Sequence, residues 1–303
     1  MSKPALGLTT IVGFGKETVA GTEVVADEWL DLISESLDYQ PVLFEGPELF
    51  GDRQKRAEMK FVSHNDGGGS VICRPRPDHM NDILDLILGV QVVDWRPITD
   101  NAELPTASVE VTKADQNTLT LVGCKVNTAK FSSVANQPLL CELSFLAMSG
   151  TRDSAVAVET YSWITGIPYM HSSLVFAAVG FSYLDGAEVR SVEFTMNNNL
   201  DAEGFANSVD RQVIPEGVFG LNGSVEIPYN TTTKAYWAAM VTATKVKFSL
   251  AYTSGGSTVT FNFVAKMSGN LPQIAGPESQ WVTIDFVGVV DATDPLCMKA
   301  LAV

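Results

Sequence analysis

Histidine is scarce in this chain, at three in 303 residues, and cysteine numbers only four. His64 lies near Asp66 and His79 follows Asp78, but neither pair has the helical i, i+4 spacing or the third ligand that a metal site requires. No metal site is expected. Cys73, Cys124, Cys141 and Cys297 lack CxxC pairing, and Met1-Ser2-Lys3-Pro4 carries no signal-peptide pattern. The cysteines read as reduced thiols of a cytoplasmic product, with a Cys124–Cys141 bridge across a hairpin as the alternative. No apolar run approaches the length of a membrane span, so no membrane partner is expected. Basic charge is also short: 20 Lys and Arg face 35 Asp and Glu, a net charge of −15. Such a surface repels phosphate backbones and anionic membranes at long range.

Catalytic signatures are missing as well. No GxSxG elbow occurs, and no cysteine has a nucleophile's setting. Gly13-Phe14-Gly15-Lys16-Glu17-Thr18 brushes against a phosphate loop, but Glu17 stands where the metal-binding hydroxyl belongs. Gly67-Gly68-Gly69 precedes a strand pattern and no helix N-terminus, so it reads as a flexible turn. Acid pairs such as Asp27/Glu28 and Asp31/Glu35 arise by chance in so acidic a protein and are a weak glycosidase signal. No catalytic residue and no cofactor are expected.

What the chain does have is an apolar composition, 46% hydrophobic with 18% charged, which sets it apart from disordered sequences. Strand periodicity dominates. Val282, Ile284 and Phe286 alternate with Trp281, Thr283 and Asp285; Val192, Phe194 and Met196 alternate with Ser191, Glu193 and Thr195. Val246, Phe248 and Leu250, then Val259, Phe261 and Phe263, flank a hairpin turn at Ser254-Gly255-Gly256-Ser257.

The same landmarks occur twice. Val12-Gly13-Phe14 returns as Val179-Gly180-Phe181, Gly69-Ser70-Val71 as Gly223-Ser224-Val225, and Lys125 with Phe145 as Lys266 with Phe286. Order is kept, and the separation shrinks in two equal steps. One helical stripe also recurs: Met80, Ile83, Leu84, Ile87 and Leu88, ended by Gly89, and then Thr233, Tyr236, Trp237, Met240 and Val241. Asp78 and Thr231 are the expected N-caps. Ile83, Leu84, Ile87, Tyr236, Trp237 and Met240 are the expected helix–core contacts. The pattern predicts a mainly β protein of two tandem related domains, 1–165 and 166–303, each with one short flanking helix. Residues 40–63, with Pro41, Glu45 and the run Asp52-Arg53-Gln54-Lys55-Arg56, form a long loop that the second copy shortens; it reads as a contact arm to a neighbouring subunit.

Together these residues resemble the tail tube proteins of long-tailed, siphophage-type bacteriophages, in the version with a duplicated tube domain. The resemblance runs from Gly13-Phe14-Gly15-Lys16-Glu17-Thr18, Gly21-Thr22 and Leu32-Ile33-Ser34-Glu35-Ser36-Leu37 to Gly69-Ser70-Val71, Arg76-Pro77-Asp78 and Gly123-Cys124-Lys125-Val126-Asn127. It covers nearly the whole first copy, and the second copy matches mainly by layout. It implies sandwich- or barrel-like β-domains that close into rings, the rings stacking into a hollow virion tube that conducts DNA. Six single-domain subunits make a ring, so three duplicated chains would make one of pseudo-sixfold symmetry. The implied partners are the chain itself, other tail proteins at the tube ends, and double-stranded DNA that passes without specific binding. Assembly would take place in the host cytoplasm, with no enzymatic activity.

If the Val, Ile and Phe positions face the core, their neighbours face the lumen. That nominates Glu142, Glu193, Glu226 and Asp285, with Asp31 and Glu35 as further candidates; alternation leaves the outer wall as the other option. Glu45, Asp52, Arg53, Lys55 and Arg56 become inter-ring contacts. A second reading is a tandem β-sandwich carbohydrate-binding or adhesin module of a phage tail, with Trp95, Tyr161, Trp163 or Tyr169 as an aromatic platform. A third is an acidic β-rich hydrolase.

Overall fold

Where apolar and polar residues alternate, an extended backbone sends them to opposite faces, and the chain becomes strand. The computed structural model describes residues 10–45, 60–90, 96–97, 103–113, 117–152, 166–179, 188–230, 240–269, 279–290 and 297–303. Among them lie seventeen strands and one α-helix. The first half holds β1 (Ile11–Lys16), β2 (Glu28–Trp29), β3 (Leu32–Glu35), β4 (Asp38–Glu45), β5 (Lys60–Cys73), α1 (Pro77–Leu88), β6 (Arg96–Pro97), β7 (Ala107–Lys113), β8 (Asn117–Val134), β9 (Leu140–Leu146) and β10 (Ser149–Arg152). The second holds β11 (Val175–Val179), β12 (Ser191–Asn197), β13 (Gly220–Pro228), β14 (Lys245–Ser254), β15 (Ser257–Gly269), β16 (Trp281–Gly288) and β17 (Met298–Ala302). The protein is mainly β, as its periodicity predicts, and its strands join in one large antiparallel sheet that, among the described residues, does not close on itself.

Pairing in the first half runs β1–β7–β8–β9–β5, with β3 and β4 side by side on the far edge of β5. In the second half it runs β11–β14–β15–β16–β13–β12. Register agrees too: Gly69 lies opposite Phe145, and Gly223 opposite Phe286. Val126 faces Phe145 on β8, and Met267 faces Phe286 on β15. The two halves meet where β12 adds to β8, Phe194 lying opposite Phe131. Buried apolar residues form one continuous cluster through both halves. At its centre Phe194 stacks on Phe131 at 5.3 Å and meets Phe261 and Phe263 edge-on at 5.0 and 4.9 Å.

Helix α1 buries the predicted stripe, with Met80, Ile83, Leu84 and Ile87 fully inside. It packs against β8 and also against β15 and β17 of the second half. Its cap differs from expectation. Arg76 is the N-cap, with no side-chain cap bond, and Asp78 sits in the first turn. Pro77 decides this, because its fixed φ suits the first helical position and it has no N–H to satisfy. The helix stops at Gly89, whose φ of 92° favours glycine and whose N–H donates to Asp85 O. Of the second stripe, Met240 and Val241 are helical, and Met240 packs on the core; Tyr236 and Trp237 lie outside the described residues.

Two loop expectations are corrected. The two ends of 40–63 are strand, Asp38 to Glu45 pairing with Gly68 down to Lys60, while 46–59 lie outside the described residues. Pro41 is tolerated because, among the described residues, β4 pairs with β5 alone, so a missing N–H on its other side breaks no ladder. Gly67-Gly68-Gly69 is not a turn but lies within β5. A Cβ on Gly69 would stand 2.4 Å from Ser36 O, so the bare backbone is what lets Ser36–Leu37 approach. The turn at Gly255-Gly256 is as expected, with positive φ at both residues joining β14 to β15. All four cysteines are free, and Cys141 lies opposite Cys73 on β5, away from a pairing with Cys124.

Candidate functional site

Side chains directly opposite across paired strands share a face. Glu142 lies opposite Lys130, Lys130 opposite Thr195, and Ser132 opposite Glu193. Ser224 then faces both Glu193 and Asp285, while Glu226 faces Ser191 and Thr283. Four of the predicted acids therefore stand on one face of the sheet, spanning β9, β8, β12, β13 and β16 across both halves. That face carries the short hydroxyl side chains of Ser132, Ser144, Ser191, Thr195, Ser224 and Thr283 with carboxylates between them. Its charge is tempered, because Lys130 pairs with Glu193 at 2.9 Å and Arg190 with Glu226 at 3.2 Å. Asp31 and Glu35 are elsewhere. Asp31 binds Arg74 at 3.1 Å and Arg76 at 2.7 Å, and Glu35 binds Lys113 at 3.3 Å.

The β4–β5 hairpin carries a second surface. Toward its end the Phe44 and Phe61 rings meet tilted at 5.2 Å while remaining 48% and 56% exposed, and Leu43 and Val62 are exposed beside them. Apolar side chains left in water in such a cluster mark an interaction surface. Glu45 pairs with Lys60 at 3.7 Å. Asp52, Arg53, Lys55 and Arg56 lie outside the described residues. The hairpin's base is fastened to residues of the second half: Tyr39 Oη donates to Asp210 at 2.6 Å, Asn65 Nδ2 donates to the same carboxylate at 2.7 Å, and His64 packs on Phe205 at 4.6 Å. Burial first, and then the Asp210 carboxylate, push the Tyr39 hydroxyl up to about 12.

Sequence reasoning missed that fastening. Residues 200–217 form a clasp whose anchors are far apart in the chain. Arg211, 5% exposed, donates to the carbonyls of Gly67, Ala147 and Ala202 and to Asp66, with its guanidinium 4.9 Å from the Phe205 ring. Lys125, also buried, donates to Ile214 O at 3.0 Å and to Glu216 Oε1 at 2.7 Å. His171 ties the halves at another point: its Nε2 donates to Val189 O, so its Nδ1 accepts from the Ser133 hydroxyl, both at 2.7 Å. The only available signal was Lys125 itself, a cation amid strand residues.

Glu216 carries a pH dependence. Burial would raise its pKa, but the Lys125 ammonium and the Leu104 N–H together outweigh burial and hold the carboxyl below its ordinary range. A lowered folded-state pKa stabilises above the ordinary carboxylate value, about 4.3, and this is lost as pH falls through the lowered value. Between pH 5 and pH 3 the protein is expected to lose more stability than its Glu216→Gln variant. Urea melts of both across that range check this, and parallel losses would refute it.

Several sequence motifs prove structural. Gly13–Lys16 belongs to a strand, and Glu17 accepts from Gly21 N–H, Gly123 N–H and the Ser108 hydroxyl, each at 2.8 Å. Tyr169 is fully buried and cannot serve an aromatic platform; Trp95, Tyr161 and Trp163 lie outside the described residues. Among the described residues no cluster of His, Cys, Asp and Glu could hold a metal, and no helix is long and apolar enough to cross a membrane.

A hydroxyl-lined face, an apolar arm and an open sheet edge are features of a building block. The family model described as "Phage tail tube protein" matches residues 7–288, nearly the whole chain. The chain belongs to the phage tail tube protein family. No curated protein matches it. A tail tube protein is a structural component of the virion tail, assembling with copies of itself and with other tail proteins. This tail tube protein has a broad sheet with one continuous apolar cluster against it and a face that carries hydroxyls and carboxylates across both halves.

Proposed function

We propose that the chain assembles into rings that stack into a hollow, siphophage-type tail tube, and that DNA passes through the lumen during ejection. On this reading residues 1–165 and 166–303 are two copies of one tube domain, three chains make a pseudo-sixfold ring, and assembly takes place in the host cytoplasm. The β8–β12 junction carries the reading. Within one chain, the edge strand of the second half already sits on the long strand of the first. Both halves have the same strand order, so the same junction repeated between chains removes the remaining edges. A sheet continued this way becomes a wide barrel. Its polar face then lines the bore, and the hairpin arm reaches the adjacent ring. Electron microscopy of purified protein at high concentration is expected to reveal rings and tubes. A protein that stays monomeric, and is missing from virions, would overturn the reading.

The lining follows from the same geometry. At physiological salt the Debye length is about 8 Å, so carboxylates act only near the wall; hydroxyls present no cation for phosphate to grip, and Lys130 on the same face is paired with Glu193. Replacing Glu142 and Asp285 by lysine is expected to permit tube formation yet slow DNA passage. Timed ejection from virions carrying the variant checks this, and wild-type timing would retire the lumen assignment.

A further inference from the structure

The open edge of the sheet is not bare. Among the described residues β3 and β4 have β5 on one side only. On the other side, Leu37 N–H donates to Glu35 Oε2 at 2.8 Å, and Leu37 C=O accepts from Lys113 Nζ at 2.7 Å. Glu35 and Lys113 pair with each other at 3.3 Å. Two residues on, Tyr39 N–H donates to Asp38 Oδ1 at 2.8 Å, and Tyr39 C=O accepts from Arg152 Nε at 2.9 Å. Asp38 and Arg152 also pair, at 2.8 Å. An antiparallel neighbour offers every second residue one acceptor for its N–H and one donor for its C=O. Each ion pair supplies that set, acid to N–H and base to C=O, at the two-residue repeat of a ladder.

The second half shows what belongs there. Glu35 lies opposite Val71 and Tyr39 opposite Gly67; Val192 lies opposite Val225 and Met196 opposite Leu221. With Gly69-Ser70-Val71 and Gly223-Ser224-Val225 aligned, Leu37 corresponds to Phe194 and Tyr39 to Met196. Phe194 and Met196 have a strand beside them, lying opposite Phe131 and Ala129 of β8. Resting on the ring reading above, we propose that the Glu35–Lys113 and Asp38–Arg152 pairs are placeholders that cap the open edge in the free chain and yield it to a strand of a second copy of this chain.

The physical logic is edge protection. An uncapped edge templates unspecific strand addition. An exposed ion pair is weak and screened by salt, so a partner bringing a full backbone ladder displaces Asp38–Arg152 readily; Glu35 is only 12% exposed, and its pair yields through the more exposed Lys113. Asp38 and Arg152, about half exposed at 53% and 56%, form the looser cap.

Light scattering and electron microscopy of tube formation test the caps, using the wild type and a Lys113→Met/Arg152→Met variant that keeps the apolar stems. The variant is expected to shorten the lag at least threefold, and added salt, which also screens repulsion between these acidic chains, to shorten the wild-type lag by a larger factor than the variant's. Hydrogen exchange at Leu37 and Tyr39 in the wild type is the second measurement, expected to slow at least tenfold on assembly; it decides the matter alone should the variant not fold. Tubes in which those two amides exchange as in the free chain would overturn the proposal while leaving the ring reading intact. A folded variant that assembles no faster than the wild type would do the same. A chain that assembles under no condition would overturn both.

Discussion

Replacing Phe194 with alanine is expected to cost about 3–5 kcal/mol of stability, the range for deleting a buried aromatic ring. The residue is fully buried, and its ring meets Phe131 from the first half and Phe261 and Phe263 from the second. Those three rings come from strands held in ladders, so they have little freedom to fill the space. Phe194 also lies on β12, at the junction with β8. Alanine there loosens the contact between halves as well as the core. Urea denaturation should show a lower midpoint with an unchanged slope. A loss below about 1 kcal/mol would mean that the ring cluster is not the keystone of the junction.

Arg211→Met is expected to have a comparable effect, about 3–5 kcal/mol, from removing one partner of a buried charge network. The estimate belongs at the lower end, because Asp66 is half exposed and regains water. The carbonyls of Gly67, Ala147 and Ala202 lose a charged donor, and methionine cannot replace it. The stem still packs on Phe205, which isolates the loss to the hydrogen bonds. Native-state hydrogen exchange should place the new weakness in residues 200–217 first, since their ties to the first half run through Arg211, Asp210 and Glu216. Uniform weakening across the sheet would contradict the clasp.

The two effects differ in how they could be read beforehand. Phe194 alternates with Glu193 and Thr195, so its burial was legible, and so was the opposite facing of Glu193. Arg211 gave no such signal. Nothing near it in the chain distinguishes it from a surface cation, and its four partners come from β5, the end of β9 and its own loop. The same contrast divides the acids. Glu142, Glu193, Glu226 and Asp285 fell on one face because period-two alternation carries through a whole strand. Asp31 and Glu35 did not, because short strands beside a bulge at Leu32/Ser34 lose that phase. The strand pairing at the two ends of 40–63 was hidden for a related reason. Leu43, Phe44 and Glu45 and their partners Lys60, Phe61 and Val62 are all exposed, so no alternation marks the pair, and Pro41 reads as a break until β4 is placed beside β5 alone among the described residues.

The amino-acid sequence alone determined the strand-rich class, the α1 stripe, the paired landmarks and the family, because each depends on local periodicity or short motifs. Tertiary structure decided which strands are neighbours, that four of the acids share one face across both halves, and that charged side chains meet the backbone of Leu37 and Tyr39. Those are facts of hydrogen bonding between distant segments, and no local pattern encodes which distant groups will meet.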